Sequence, residues 1–262
     1  MQNLWIFGDS YMSGHWTQSY IWPEQLAKKL NLTARNYALS GGSLPWMYHQ
    51  FTKQIVNLSE GDYVIVGITN FIRQWFFNQQ PMASSIVACE YAHLGLYEKI
   101  HVDKNQLDAV YKYYQYLDNP EDDHFRLAIF LHLLHLLTEK FKLKVLIIPC
   151  YFPEMLKYNE YKNHYFPLFN TINGFLEKIM INEYDPVFYN SIKIIDDKKP
   201  NHLIKSNHEI LIPKLIEAFE TNHLDLNPDQ FVRGIITKSI FDDLGFLEAE
   251  TIVNQPMQFK WK

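Results

Sequence analysis

The chain has 262 residues, 47% hydrophobic and 16% aromatic, enough to bury one large core without a second domain. A net charge of −5 and an isoelectric point near 6.1, with no lysine/arginine run, give no general attraction to phosphate backbones and argue against nucleic acid as a partner. No segment approaches the roughly 20 uninterrupted apolar residues of a membrane-spanning helix, and no charged stretch leads into an apolar export segment, so the expectation is a soluble protein made in a cytoplasm, with no membrane span.

In chain order, Leu4–Phe7 is an apolar run of strand type that stops abruptly at Gly8-Asp9-Ser10, with Gly14 just beyond. Small polar residues past such a strand leave a hydroxyl at its carboxyl end, where open α/β sheets bind their ligands, and Ser10 is the first candidate nucleophile. A serine hydroxyl is a poor nucleophile at neutral pH, so this assignment needs a base and oxyanion donors elsewhere in the chain. A helix that Pro23 starts is expected over Glu24–Leu30, and a short second strand over Ala34–Leu39 ends in Ser40-Gly41-Gly42-Ser43. The paired glycines allow positive φ and a backbone N–H aimed at a ligand; a plain tight turn is the alternative. After a helix over Tyr48–Leu58, the strand Tyr63–Val66 breaks on Gly67-Ile68-Thr69-Asn70. Crossover connections in a parallel sheet bring these three strand ends to one edge.

Trp75–Asp123 departs from this rhythm and reads as an insertion over the sheet edge, with a helical stretch over Leu107–Leu117. Its aromatics are either ordinary core or the lining of a site for a sugar or acyl chain. Phe125–Phe141 is a strongly apolar helix and Lys144–Ile148 a fourth strand. His132 and His135 share the spacing of metal ligands, but the surrounding leucines and the lack of a third ligand favour a packed helix, so no metal or cofactor is expected. Cys89 and Cys150 fit reduced thiols, Cys150 as a buried structural one. A helix over Phe169–Asn182 and a fifth strand over Val187–Ile195 follow, then a final helix from about Ser206, with Ser206 and Glu209 spaced as a capping box. His202 precedes that helix and would share the Ser10 edge; His208, inside it, reads as structural. From 223 onward the chain reads as an appendage that packs on the domain or on a neighbouring subunit, which leaves a homo-oligomer open.

These blocks together resemble the SGNH hydrolases, the GDSL esterases and lipases, over Leu4–Phe219. The resemblance implies a flavodoxin-like three-layer α/β sandwich with a five-stranded parallel sheet over 1–222, an insertion around 75–123 and an appendage over 223–262. It implies Ser10 as nucleophile and first oxyanion donor, with Asp9 shaping the turn. The second block, Asn36, Ala38, Ser40, Gly41 and Ser43, makes Gly41 the backbone oxyanion donor. In the third block Thr69 stands at the asparagine position with Asn70 one place late, and Asn70 is favoured. In the fifth block His202 is the base, but Lys199 occupies the usual aspartate position, so Asp197 or Asp196 orients the imidazole, or neither does; Asp197 is favoured. The PNHL…NH pattern is similar to that of some phage-encoded members, which adds a virion-associated location to the cytoplasmic one. The implied activity is hydrolysis of small-molecule or glycan esters, with short acyl groups on carbohydrate favoured; the alternative is an inactive binding or virion-assembly module.

Overall fold

A computed structural model describes residues 2–13, 22–39, 41–71, 73–75, 104–151, 154, 157–160, 169–179, 183–184, 203, 205–231 and 235–236. Within them, β1 (Asn3–Phe7), β2 (Thr33–Asn36), β3 (Tyr63–Ile68) and β4 (Lys144–Pro149) form a four-stranded sheet in the order β2-β1-β3-β4. All three pairings are parallel. The helices are α1 (Trp22–Lys29), α2 (Leu44–Gln54), α3 (Lys104–Tyr116), α4 (Pro120–Phe141) and α5 (Lys205–Thr221).

Strands β1, β3 and β4 are buried on both faces, and the alternation of side chains along them divides the core in two. Leu4, Ile6, Ile65, Leu146 and Ile148 pack with Leu26 of α1 and Leu211 and Leu215 of α5. Trp5, Phe7, Val64, Val66, Val145 and Ile147 pack with Met47 and Phe51 of α2 and Leu127, Leu131 and Leu134 of α4. At the amino end of the strands, buried Asp62 accepts hydrogen bonds from the Asn3 N–H at 2.9 Å, Trp5 Nε1 at 2.7 Å and the Ser59 N–H at 3.1 Å. That hub pins β1 to the turn before β3.

Three expectations need correction. The helix expected over Phe169–Asn182 is instead a short strand, β5 (Thr171–Asn173), followed by a 3-10 turn over Leu176–Ile179. Gly174 between them has φ +96°, and a Cβ there would lie 2.6 Å from the Leu226 carbonyl oxygen. Asn170 is the second reason: its carboxamide takes both the N–H and the C=O of Ile147, at 2.8 and 3.1 Å, and so caps the outer edge of β4 like a one-residue strand. The four strands seen are one short of the five expected; Val187–Ile195 lies outside the described residues. Lastly, α5 begins at Lys205, which puts Ser206 inside the helix rather than at its cap.

Two further short strand pairs, β5 with β7 (His223–Asp225) and β6 (Glu183–Tyr184) with β8 (Ile235–Ile236), are also parallel. Leu224, Leu226 and Phe231, from the start of the expected appendage, belong to the α1/α5 core. Helices α2 and α4 start earlier than their apolar periodicity suggests. Ser43 accepts from the Trp46 N–H and Asn119 from the Glu121 N–H, each followed by a proline in the first turn.

Candidate active site

The carboxyl ends of β1, β3 and β4 bring Gly8–Tyr11, Thr69–Phe71 with Arg73, and Cys150–Tyr151 together. Immediately after β1 the chain makes a turn closed by the Met12 N–H donating to the Asp9 carbonyl at 3.1 Å. Asp9 Oδ1 accepts from the Tyr11 N–H at 3.1 Å, the Asx-turn bond that makes aspartate a natural residue here. Ser10 therefore occupies a tight turn, 7% exposed.

The next three carbonyls of this turn are each held by a side chain. Ser13 Oγ donates to the Ser10 carbonyl at 3.4 Å, Trp22 Nε1 to that of Tyr11 at 3.0 Å, and Asn36 Nδ2 to that of Met12 at 2.7 Å. The Asn36 oxygen in turn accepts from the Ala38 N–H at 3.0 Å, which aligns the chain leaving β2 with the chain leaving β1. Below the turn, Met12 is fully buried against the facing glycines of β1 and β3. A Cβ on Gly8 would lie 2.8 Å from the Met12 sulfur and one on Gly67 2.5 Å from it, so two missing side chains make the seat that draws the turn onto the sheet.

The glycine turn after β2 abuts this one. The Leu39 N–H donates to the Gly8 carbonyl at 3.1 Å and the Gly42 N–H to the Leu39 carbonyl at 2.8 Å. Gly41 has φ +70°, and a Cβ on Gly42 would press on the Leu39 and Gly8 carbonyls at 2.8 and 3.1 Å. Among the described residues, no protein group accepts from the N–H of Ser10 or of Gly41, and none hydrogen-bonds the Ser10 hydroxyl.

Asp9 is the electrostatic centre and is fully buried. Its Oδ2 accepts from Thr69 Oγ1 at 2.6 Å and pairs with Arg73 Nη1 at 3.3 Å; Cys150 Sγ donates to Oδ1 at 3.6 Å. Arg73 also donates to Thr69 Oγ1 at 3.2 Å and, through Nη2, to the Tyr151 hydroxyl at 2.9 Å. Burial, then Asp9, push the Cys150 thiol well above its ordinary value, which suits a structural thiol and not a nucleophile. Burial likewise raises Tyr11 and Tyr151, so both stay protonated.

Of the residues singled out in the sequence, the fold brings Ser10 and Asp9 beside Thr69, with the Gly41 turn held against Gly8 and Asn70 next along the chain. The single hydroxyl proton of Thr69 is spent on Asp9 and is therefore not offered to a ligand. His202, Asp196 and Asp197 lie outside the described residues. His208 is buried in α5, and its Nδ1 accepts from the Trp22 N–H at 3.2 Å, a structural task that ties α5 to α1. Arg73 and Tyr151 were not anticipated; the usable signal was a lone arginine in the otherwise uncharged stretch that follows Asn70. No known protein-family model matches the chain, and no curated protein matches it significantly.

Proposed function

We propose that the protein is a serine esterase of the SGNH type that hydrolyses carboxylic esters through an acyl-enzyme intermediate, with short acyl groups on carbohydrate as the favoured substrates. What carries this reading is the pair of unspent backbone N–H groups, Ser10 and Gly41, on adjoining turns beside a serine hydroxyl that is likewise uncommitted among the described residues. Developing negative charge on a substrate carbonyl oxygen is what such donors would stabilise. In this mechanism His202 takes the Ser10 proton as the hydroxyl attacks the ester carbon, with Asp197 or Asp196 orienting the imidazole. The tetrahedral oxyanion is held by the Ser10 and Gly41 N–H groups and the Asn70 carboxamide. His202 returns the proton to the departing alcohol, and water, activated by the same imidazole, releases the acid.

One observation favours a second reading, a non-catalytic binding or virion-assembly module on the same flavodoxin-like fold: the hydroxyl at the family's asparagine position is locked onto Asp9. Hydrolysis of p-nitrophenyl acetate, longer-chain esters and acetylated glycans by the wild type beside Ser10→Ala and His202→Ala separates the two. Turnover lost in both variants, with the circular dichroism spectrum intact, supports the esterase. Wild-type turnover no higher than that of Ser10→Ala on every ester sinks it in favour of the module.

A further inference from the structure

The turn that carries Asn70 is anchored on both sides of the peptide that follows it. Thr69 is held by Asp9, and the Arg73 N–H closes the turn onto the Asn70 carbonyl at 3.1 Å. Between them, both backbone groups of buried Phe71 are taken by side chains, one distant in sequence and one three residues on. The N–H donates to Glu154 Oε1 at 3.3 Å, and the carbonyl accepts from Gln74 Nε2 at 3.2 Å. The same Gln74 nitrogen donates to both carboxylate oxygens of buried Asp123, at 2.9 and 3.2 Å. Asp123 lies in the first turn of α4, so this chain of bonds runs from the insertion side of the molecule to Glu154, a helical residue beyond β4.

Glu154 is costly where it sits. It is 3% exposed, its Oε2 has no hydrogen-bond partner among the described residues, and burial raises its pKa against the opposing pull of its own and the Phe71 N–H groups. An apolar residue of similar size would avoid that cost but leave the Phe71 N–H without an acceptor. Lys157, with its ammonium 4.5 Å from the centre of the Phe71 ring, and His124, whose ring centre is 5.6 Å away, close over the side chain itself.

We propose that Glu154 and Gln74 clamp Phe71 through the peptide N–H that precedes its Cα and the carbonyl that follows it, and that Glu154 is thereby a positioning residue for Asn70. The proposal rests on the esterase reading for the role of Asn70, and on geometry alone for the clamp. An oxyanion donor displaced by about 1 Å costs on the order of a hundredfold in rate while leaving ground-state binding nearly intact.

The test compares Glu154→Ala, Glu154→Gln and Gln74→Ala with the wild type. The readouts are ester turnover and hydrogen exchange of the Phe71 amide. Glu154→Ala is expected to lower kcat about a hundredfold with KM within about twofold, and to speed Phe71 exchange at least about tenfold. Glu154→Gln, whose side-chain oxygen still accepts the Phe71 N–H, is expected to restore kcat to within about threefold of wild type. Gln74→Ala frees the Phe71 carbonyl and gives an independent reading if Glu154→Ala fails to fold. Unchanged kcat and unchanged Phe71 exchange in the alanine variants overturn the clamp while the esterase stands. Accelerated exchange in a protein that hydrolyses no ester keeps the clamp and removes the esterase. Glutamine and alanine variants equally impaired refute the accepting role of the Glu154 oxygen.

Discussion

The seat under the Ser10 turn gives the most quantitative test of the architecture. Gly67→Ala places a methyl 2.5 Å from the sulfur of Met12, whose side chain is fully buried. The thioether and its methyl are the far end of a flexible side chain, so in an open site they would swing aside at little cost. Here Met12 lies in the core cluster with Tyr11, Trp22 and Cys150, and there is no solvent for it to move into. Overpacking of this kind costs about 1–3 kcal/mol. Met12→Ala alone removes a fully buried side chain and costs about 2–5 kcal/mol. In the double variant the new methyl occupies space that the methionine has vacated, so its cost should fall short of the sum by about 1 kcal/mol or more. Urea unfolding of all four proteins measures this, provided the slopes agree. Additivity within about 0.5 kcal/mol, or a neutral Gly67→Ala, would show that the glycines do not form the seat. On the proposed esterase reading both single variants should also lose turnover, because one pushes Met12 off its seat and the other removes the side chain that seats the Ser10 turn.

Arg73→Met leaves the buried Asp9 carboxylate without its cation and is expected to cost about 3–5 kcal/mol, whereas Arg73→Lys keeps the charge, loses the fork to Thr69 and Tyr151, and costs less; denaturant midpoints in the reverse order refute the pairing. Burial raises Tyr11, Tyr48, Tyr151 and Tyr158 above the ordinary tyrosine value of 10.0. The folded chain keeps those protons where the unfolded chain releases them, so stability is full below about pH 10 and falls as pH rises beyond it. Absorbance titration followed beside circular dichroism checks this: the four should ionise only as the protein unfolds, and ordinary, reversible ionisation in the folded state contradicts the burial.

How far the chain could be read without coordinates depended on what kind of force set each element. The strands β1, β3 and β4 are short apolar runs ended by small residues, and burial on two faces produces that pattern directly. The caps of α2 and α4 were visible only as Ser43 with Pro45 and Asn119 with Pro120, ahead of the first apolar repeat, so both helices begin earlier than periodicity indicates. The stretch after Phe169 has helix-like spacing, but its conformation is decided by tertiary demands: Asn170 serves the edge of β4, and Gly174 lies against Leu226. In the site, Ser10, Gly41 and the Thr69-Asn70 ambiguity were legible as small polar clusters at strand ends. That Thr69 spends its hydroxyl proton on Asp9 depends on where Asp9 points, and no spacing rule contains that. Arg73, Tyr151 and Glu154 act through contacts 64, 78 and 83 residues apart in sequence, beyond the reach of local pattern.

A turn of this shape does not require a buried charge. An asparagine at position 9 would still accept from the Tyr11 N–H and make the same Asx-turn, without the desolvation cost of a carboxylate. The second carboxylate oxygen is what an amide nitrogen could not replace, since it takes both the Thr69 hydroxyl and the Arg73 guanidinium. That oxygen fastens the end of β1 to the end of β3, while Asn36 fastens it to the end of β2. With the carbonyls of Ser10, Tyr11 and Met12 each bound by a side chain, the position of the serine is fixed entirely by its neighbours, and its own hydroxyl and N–H are left unspent among the described residues. A fold selected only for stability would spend those donors. The esterase proposed above would need them free and rigidly held to meet a substrate carbonyl in a preset geometry, and on that reading the buried Asp9–Arg73 pair is the cost of holding them.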